Sequence, residues 1–410
     1  MSRRIGTQEL FPVTESAYRL ARENIVCFST ADWDTLLPTN KHQLMRRLAR
    51  RNRVLFIETL GTRAPRLASG TDMARIGRRL KRGFDGPIRR EKHLWTLSPL
   101  VRPAWNTTTA RIANAMAFRA QAGGALARFP SPIAWVYSPY AVHLLGALDP
   151  KLVVYHMVDD LAAVPGADRT AIREAEAQLL ARADCVFCTE RSLHDRARLV
   201  NSRSKFMPNV ADFRHFSVPA PGVADARLAL LRSLPQPRLV FSGNMAPHKV
   251  DLELLAEIAR RRPDTPLVLI GPQWEGGGAE AAMRPLKHLR NVHVFGHVPY
   301  EELPAYLHEA GVLLIPYVEN DATRAVFPLK FFEYLATGRP VVASPLPSLL
   351  PYGGAVRLAR TLEEWLGAID AAAADTHGME TQRRVLARRH TWESRLREME
   401  TEIGRALGEK

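Results

Sequence analysis

Along the chain, short β-branched and aromatic runs alternate with stretches of helical spacing, the pattern of parallel sheets covered by helices. In the first half the runs predict strands at Ile25–Ser29, Val54–Glu58, Leu94–Ser98, Ile133–Tyr137, Val153–Met157 and Cys185–Thr189. Between the first two, His42–Arg51 predicts a helix with Leu44 and Leu48 one turn apart, on a face opposite its arginines. The polar, proline-containing stretch from Asp212 to Pro237 reads as a linker region. Beyond it a second series predicts strands at Arg238–Ser242, Leu267–Ile270, Val292–Phe295, Val312–Ile315, Val341–Ala343 and Ala355–Leu358, bounded by glycine or proline. No solenoid repeat and no low-complexity tract is present.

Two doubly wound units in one chain put the carboxyl ends of both strand sets against a shared cleft, where such folds bind ligands. The segment Arg324–Ala343 carries the most chemistry. Pro328 suits the first turn of a short helix, Gly338 its C-terminal cap, and Pro340 the start of the next buried strand. The helix N-terminus would point into the cleft, where free N–H groups and the positive end of the dipole favour a diphosphate and Lys330 adds a full charge. Glu333, one turn on, can accept hydrogen bonds from two neighbouring ribose hydroxyls. That geometry suits a nucleotide.

Composition adds compartment and partners. With 410 residues and 46% apolar content, the chain is long enough for two domains of nearly equal size. It has no run of eighteen apolar residues, and its first residues, Met1 to Gly6, lack a signal-peptide core, so a cytoplasmic protein is expected. Cys27, Cys185 and Cys188 cannot build a disulfide framework. Cys185 and Cys188 have the spacing of a metal knuckle but lie in an apolar strand with no second pair, which reads as core packing and predicts no metal site. The net charge of +15 implies attraction to anions: nucleic acid, an anionic membrane or a phosphorylated substrate. No aromatic-interleaved basic motif or zinc-finger spacing supports nucleic acid. Ile76, Leu80, Phe84 and Ile88 recur every four residues among arginines and lysines, which fits either peripheral contact with anionic lipid or a basic surface helix packed on its own domain.

The segment Arg324–Ala343 resembles the donor-binding motif of the GT-B glycosyltransferases, of the family 4 type and its teichuronic-acid-synthesis-like branch. Arg238–Asn244, Leu267–Pro272, Asn291–Val298 and Leu303–Tyr317 are similar to that family's donor-domain blocks, in order. Leu152–Asp160, Ala183–Arg191, Met207–Val210 and His390–Arg395 also fit, more loosely. The resemblance implies two facing Rossmann-like domains, an acceptor domain at 1–211 and a nucleotide-sugar donor domain at 212–390, with a helix at 391–410 crossing back. It implies transfer of a sugar from a nucleoside diphosphate sugar to a hydroxyl of a surface polysaccharide or glycolipid, with retention of configuration and no obligatory metal. Gly243, Asn244, Lys249, Val298, Thr323, Arg324, Lys330 and Glu333 are the implied donor-binding residues.

Two departures stand out. The family often carries a second glutamate eight residues before the ribose glutamate, where this chain has Ala325, with Asn320, Asp321 and Thr323 the nearby polar residues. It also often carries an arginine after the glycine that corresponds to Gly243, where this chain has Asn244, leaving the diphosphate to Lys330, Arg324 or Lys249. Several residues keep two readings. Glu333 is a ribose ligand or a solvated helix acid, and Lys330 a phosphate ligand or a surface charge. Asp159 and Asp160 either orient or deprotonate the acceptor or cap the next helix. His156 reads as a hydrogen-bonded core histidine, and His297 as a source of backbone contacts beside the base. A nucleotide-sugar epimerase of the same architecture and a noncatalytic nucleotide-sugar-binding relative stand as alternatives.

Overall fold

A computed structural model describes residues 19–61, 81–273 and 279–409. Among these residues the first half of the chain forms an eight-stranded sheet and the second half a six-stranded sheet. The strands of the first are β1 (Asn24–Phe28), β2 (Arg53–Ile57), β3 (Ile88–Glu91), β4 (Leu94–Leu97), β5 (Ile133–Val136), β6 (Leu152–Met157), β7 (Cys185–Cys188) and β8 (Ser204–Phe206). Their spatial order is β3-β4-β2-β1-β5-β6-β7-β8. Only β3 is antiparallel, paired with β4. The second sheet comprises β9 (Leu239–Ser242), β10 (Leu267–Ile270), β11 (Val292–Gly296), β12 (Val312–Ile315), β13 (Val341–Ala343) and β14 (Arg357–Leu358), ordered β11-β10-β9-β12-β13-β14. Both central strand sets are buried on both faces, which is why they read as continuous apolar runs.

The expected strands are present to within a residue or two at their ends. Two were missed: β3, whose Ile-Arg-Arg-Glu sequence is polar because it lies at a sheet edge, and β8, which is three residues long. The expected linker is partly helical. Asp212 and Asp225 cap helices at Phe213–Phe216 and Ala226–Ser233, and Phe216, Leu228 and Leu231 enter the core of the second sheet. Of the basic apolar stretch at 75–88, residues 75–80 lie outside the described residues. Phe84 is exposed, and Ile88 opens β3 rather than continuing a helix. Cys185 and Cys188 are buried core residues, as their apolar strand implied.

The chain passes between the two halves at two adjacent points. Across them Ala211 N donates to the His390 carbonyl and Trp392 N to the Ala211 carbonyl, and the helix Trp392–Gly408 returns to the first sheet, where Trp392, Leu396, Met399 and Ile403 pack with residues of β1, β2, β6 and β7. Arg47, on the helix Asn40–Leu48, secures this junction. It does not lie on a solvated face: it is 7% exposed, and its guanidinium bonds Asp212 at 2.8 Å, Glu393 at 2.9 Å and the Gln43 side chain at 2.7 Å. Arg51 reaches Glu400 at 3.4 Å, while Arg53 lies over the Phe129 ring at 4.9 Å. Much of the basic cluster at 46–53 is therefore structural.

Replacing Arg47 with methionine should lower stability by about 1–3 kcal/mol, the scale of lost charge-assisted hydrogen bonds to partly exposed acids. Lysine should not restore it, because an ammonium cannot span three acceptors in a fork. Urea unfolding of the three proteins measures this, and equal midpoints would contradict it.

Candidate functional site

At the carboxyl ends of the two sheets the structure encloses a cavity of about 240 Å3. It lies where strand order reverses in each sheet, between β1 and β5 in the first and between β9 and β12 in the second. Its walls come from the loop Leu36–Lys41 after β1, from Val158 and Asp159 after β6, and from Gly243, Gly271, Val298 and Tyr317 after four strands of the second sheet. Pro328 to Lys330 and Glu333 close the floor. A larger hollow of about 470 Å3 opens at the opposite edge of the second sheet, beside Gly311 and Pro340. Its charged lining includes Arg383 and Asp375, already paired at 2.6 Å.

The helix Leu329–Thr337 presents its N-terminus to the cavity, with no side chain capping that end. Gly338 terminates it in the left-handed conformation, at φ 84°. Tyr334 pins the helix to the end of β9, its hydroxyl accepting from Ser242 N at 2.8 Å. Behind it, Phe332 stacks on His390 with ring centres 4.3 Å apart. These contacts aim Lys330 and Glu333 into the cleft.

The Lys330 ammonium rests over the Phe241 ring at 4.1 Å and near Tyr317 at 5.1 Å. Burial, reinforced by the nearby charge of Lys249, lowers its pKa to about 7, although Glu333 opposes the shift. Burial raises Glu333 to about 7, against the pull of Lys330 and with help from Asp212. The empty cleft thus holds a cation and an anion that are both poorly solvated.

Glycine makes room for the lysine. A Cβ on Gly243, at φ 140°, would lie 2.5 Å from Lys330 Nζ, and one on Gly271, at φ 132°, would lie 2.2 Å from the Gly243 carbonyl oxygen. Both backbones occupy conformations that L side chains rarely adopt.

On the facing wall, Asp159 follows β6 and lines the cavity opposite Lys41, whose charge interacts with it. Lys41 was not singled out from the sequence, although Pro38-Thr39-Asn40 is a helix-start signal directly before it. The wall is tied to the other half by side-chain amides. Asn40 Nδ2 donates to Asn209 Oδ1 at 3.1 Å, and Asn209 Nδ2 donates to the Phe327 carbonyl at 2.8 Å.

Gly243, Asn244, Lys249, Val298, Lys330, Glu333 and Asp159 converge on this one cavity. The remaining sequence candidates lie elsewhere. Asp160 turns away, caps Ala162 N and binds Arg173 at 2.6 Å and Arg196 at 3.1 Å, which lowers its pKa despite burial. Thr323 is buried, and its hydroxyl donates to the Val318 carbonyl within the turn that Asn320 caps. Arg324 is exposed and faces Asp321 at 3.8 Å. Ala325 is buried in the core cluster of the first half. The nearby polar groups are engaged in the turn: Asn320 Nδ2 donates to the His248 carbonyl at 2.8 Å.

His156 is buried as expected but not hydrogen-bonded. Its ring stacks on Tyr137 at 4.9 Å, neither ring nitrogen has a partner, and burial lowers its pKa to about 3. His297 offers its carbonyl to Arg227 at 2.9 Å, so that backbone atom is occupied from outside the cavity.

Two outcomes follow from this geometry. Gly271→Ala should destabilise more than Gly243→Ala in thermal unfolding, since the first drives a methyl into backbone and the second into the end of a flexible side chain. Left-handed strain alone costs about 1–3 kcal/mol at either site. For Lys330, a folded pKa below the unfolded value of 10.5 means that the unfolded state binds the extra proton between pH 7 and 10.5, so the penalty is fully present below pH 7 and vanishes above 10.5. Lys330→Met should therefore raise the melting temperature of the ligand-free protein at pH 6, by about 1 °C for each ~1 kcal/mol relieved. The gain should fade toward pH 10. A variant less stable than wild type at pH 6 would show that Lys330 is not strained.

Residues 250–401 match the family described as Glycosyl transferase-like. A Bacillus subtilis (strain 168) protein, TuaH, named for teichuronic acid biosynthesis glycosyltransferase function, is 32% identical over 188 residues. That match covers 44% of this chain and 45% of the relative, less than half the length of either. Sucrose-phosphate synthase from Thermosynechococcus elongatus superposes with a TM-score of 0.71 at 16% identity, over 95% of this chain and all of that one. Anabaena Alr3699/HepE, solved in complex with UDP and glucose, superposes with a TM-score of 0.64 at 13% identity, over 94% of this chain and 100% of that one. At such identities these two superpositions speak to fold alone. The chain thus shares the two-domain GT-B fold of these structures, and the stretch that matches the Glycosyl transferase-like family includes Lys330 and Glu333.

Proposed function

We propose that this protein is a glycosyltransferase that takes a sugar from a nucleoside diphosphate sugar and delivers it to a hydroxyl of a polysaccharide or glycolipid. One observation carries the reading: Lys330 and Glu333 stand one helical turn apart in a cavity built by the carboxyl ends of both sheets. The helix N-terminus and Lys330 suit the diphosphate, while Glu333 suits the ribose hydroxyls. HepE, of the same fold, is described in complexes with UDP and with UDP-glucose, which supports a nucleotide-sugar donor.

In this reading, the bond from the sugar C1 to the β-phosphate oxygen breaks and leaves its electron pair on that oxygen. A bond from C1 to the acceptor oxygen forms, with retention of configuration. The acceptor proton passes to a base, and Asp159 is the carboxylate on the facing wall. Lysine side chains and the helix end meet the charge of the leaving diphosphate, without an obligatory metal. Residues 1–211 serve the acceptor, 212–390 the donor, and 391–410 join them. Among the described residues no helix is long and apolar enough to cross a membrane, and exposed Phe84 together with the basic charge supports a cytoplasmic protein with peripheral contact to anionic lipid.

Buried Ala325 favours a second reading, a noncatalytic nucleotide-sugar binder, because the carboxylate that often holds the transferred sugar is absent there. Thermal shift with UDP, GDP and their common sugar conjugates tests the donor site. Ligand at ~100 times its dissociation constant adds about 2.7 kcal/mol of stability. Selective stabilisation by one nucleotide class, lost in Glu333→Ala, is the expected result, and no stabilisation of wild type by any nucleotide would refute the reading. Product analysis with the donor so identified then separates transfer from epimerisation and from binding alone.

A further inference from the structure

The Lys41 ammonium is in an unusual position. It is 5% exposed, it lines the cleft, and among the described residues no carboxylate forms an ion pair with it. Its nearest aromatic face, Tyr137, is 5.4 Å away, which is weak compensation for a buried charge. It also sits in the first turn of the helix Asn40–Leu48, where the positive end of the dipole opposes a cation. Burial and the Lys249 charge lower its pKa, while Asp159 and the Cys27 thiol on the strand behind it act the other way. The same cavity holds Lys249 and Lys330 on its opposite side, which also repel one another. Three lysines thus line one cavity with only two carboxylates, Asp159 and Glu333, an excess of positive charge that suits an anion.

We propose that Lys41 is a third diphosphate-binding cation, supplied by the first half of the chain, so that a nucleoside diphosphate is gripped from both walls of the cleft. The proposal rests on the donor-site reading above and adds to it a residue from the half that otherwise faces the acceptor. Two features place the ammonium for this task. The residue that follows Gly243 is the uncharged, exposed Asn244, so the second sheet offers no cation at that point. The residue directly before Lys41, Asn40, is joined through Asn209 to the Phe327 carbonyl, two residues before the helix that carries Lys330. Lys41 therefore keeps its place relative to Lys330 only while the two halves stay in contact. A diphosphate lying between them would draw the walls together, and a monophosphate, too short to reach both, would not.

Isothermal titration of the full chain with UDP, GDP and the corresponding monophosphates tests this. Wild type should prefer the diphosphate of its nucleotide, and Lys41→Met should reduce that preference at least about tenfold, the scale of one charged contact, with monophosphate affinity nearly unchanged. Lys41→Arg should restore most of the preference, and Lys41→Gln should repeat the loss if the methionine variant folds poorly. An unchanged preference in Lys41→Met and Lys41→Gln, or an equal loss for both ligands, would overturn the role of Lys41 while leaving the donor site intact. Failure of wild type to bind any nucleotide would instead overturn the underlying reading of the cleft.

Discussion

The fork formed by Arg47 sets the geometry on which the cleft depends. Its three nitrogens hold Asp212, Glu393 and Gln43, which join a helix of the first half to the two points where the chain crosses between halves. Those crossings lie side by side, since Ala211 bonds His390 and Trp392 through its backbone. Adjacent crossings join the two halves along one line. The carboxyl edges of the two sheets consequently meet in one relation, and the residues behind those edges share a cavity.

Within the cavity, backbone shape precedes charge. Gly243 and Gly271 leave a space that a methyl group would fill, and the Lys330 side chain occupies part of it above Phe241. The aromatic faces partly offset the loss of water, which helps explain how an ammonium can be kept in so enclosed a place. Compare Asp160, one residue from the cleft carboxylate Asp159. Two arginines satisfy it, and it has no capacity left for a ligand. Groups with complete partners build the fold, and groups with incomplete partners are available for chemistry.

That distinction also explains what could be read from the sequence. The parallel sheets were legible because strands buried on both faces are written as apolar runs, whatever their neighbours. The helix Leu329–Thr337 was legible from Pro328, Lys330, Glu333 and Gly338, all within one local segment with recognisable start and stop residues. On the facing wall local motifs pointed to Asp159 but not to Lys41. Lys41 resembles any basic residue in a helix until the sheet places it opposite Lys249, more than two hundred residues later in the chain. Arg47 was hidden for the same reason, as its partners at 212 and 393 are remote. Thr323 and Arg324 failed to reach the cavity because the Asn320 turn uses the hydroxyl of one and leaves the guanidinium of the other outside.

The net charge of +15 acquires a different meaning once its members are located. Arginines predominate in the junctions and surface pairs, where a planar fork can bind several acceptors at once. Among the described residues the cleft is lined by three lysines and by none of the arginines. Ammonium groups lose charge when desolvated, as the lowered pKa values of Lys41 and Lys330 indicate, and regain it when an anion arrives. Desolvation thus opposes the positive charge of Lys41 and Lys330, and a bound phosphate would favour it. Guanidinium groups, which stay charged at any accessible pH, would repel one another throughout. Lysine therefore suits a cleft that meets an anion, and arginine suits a junction that must hold several acceptors at once.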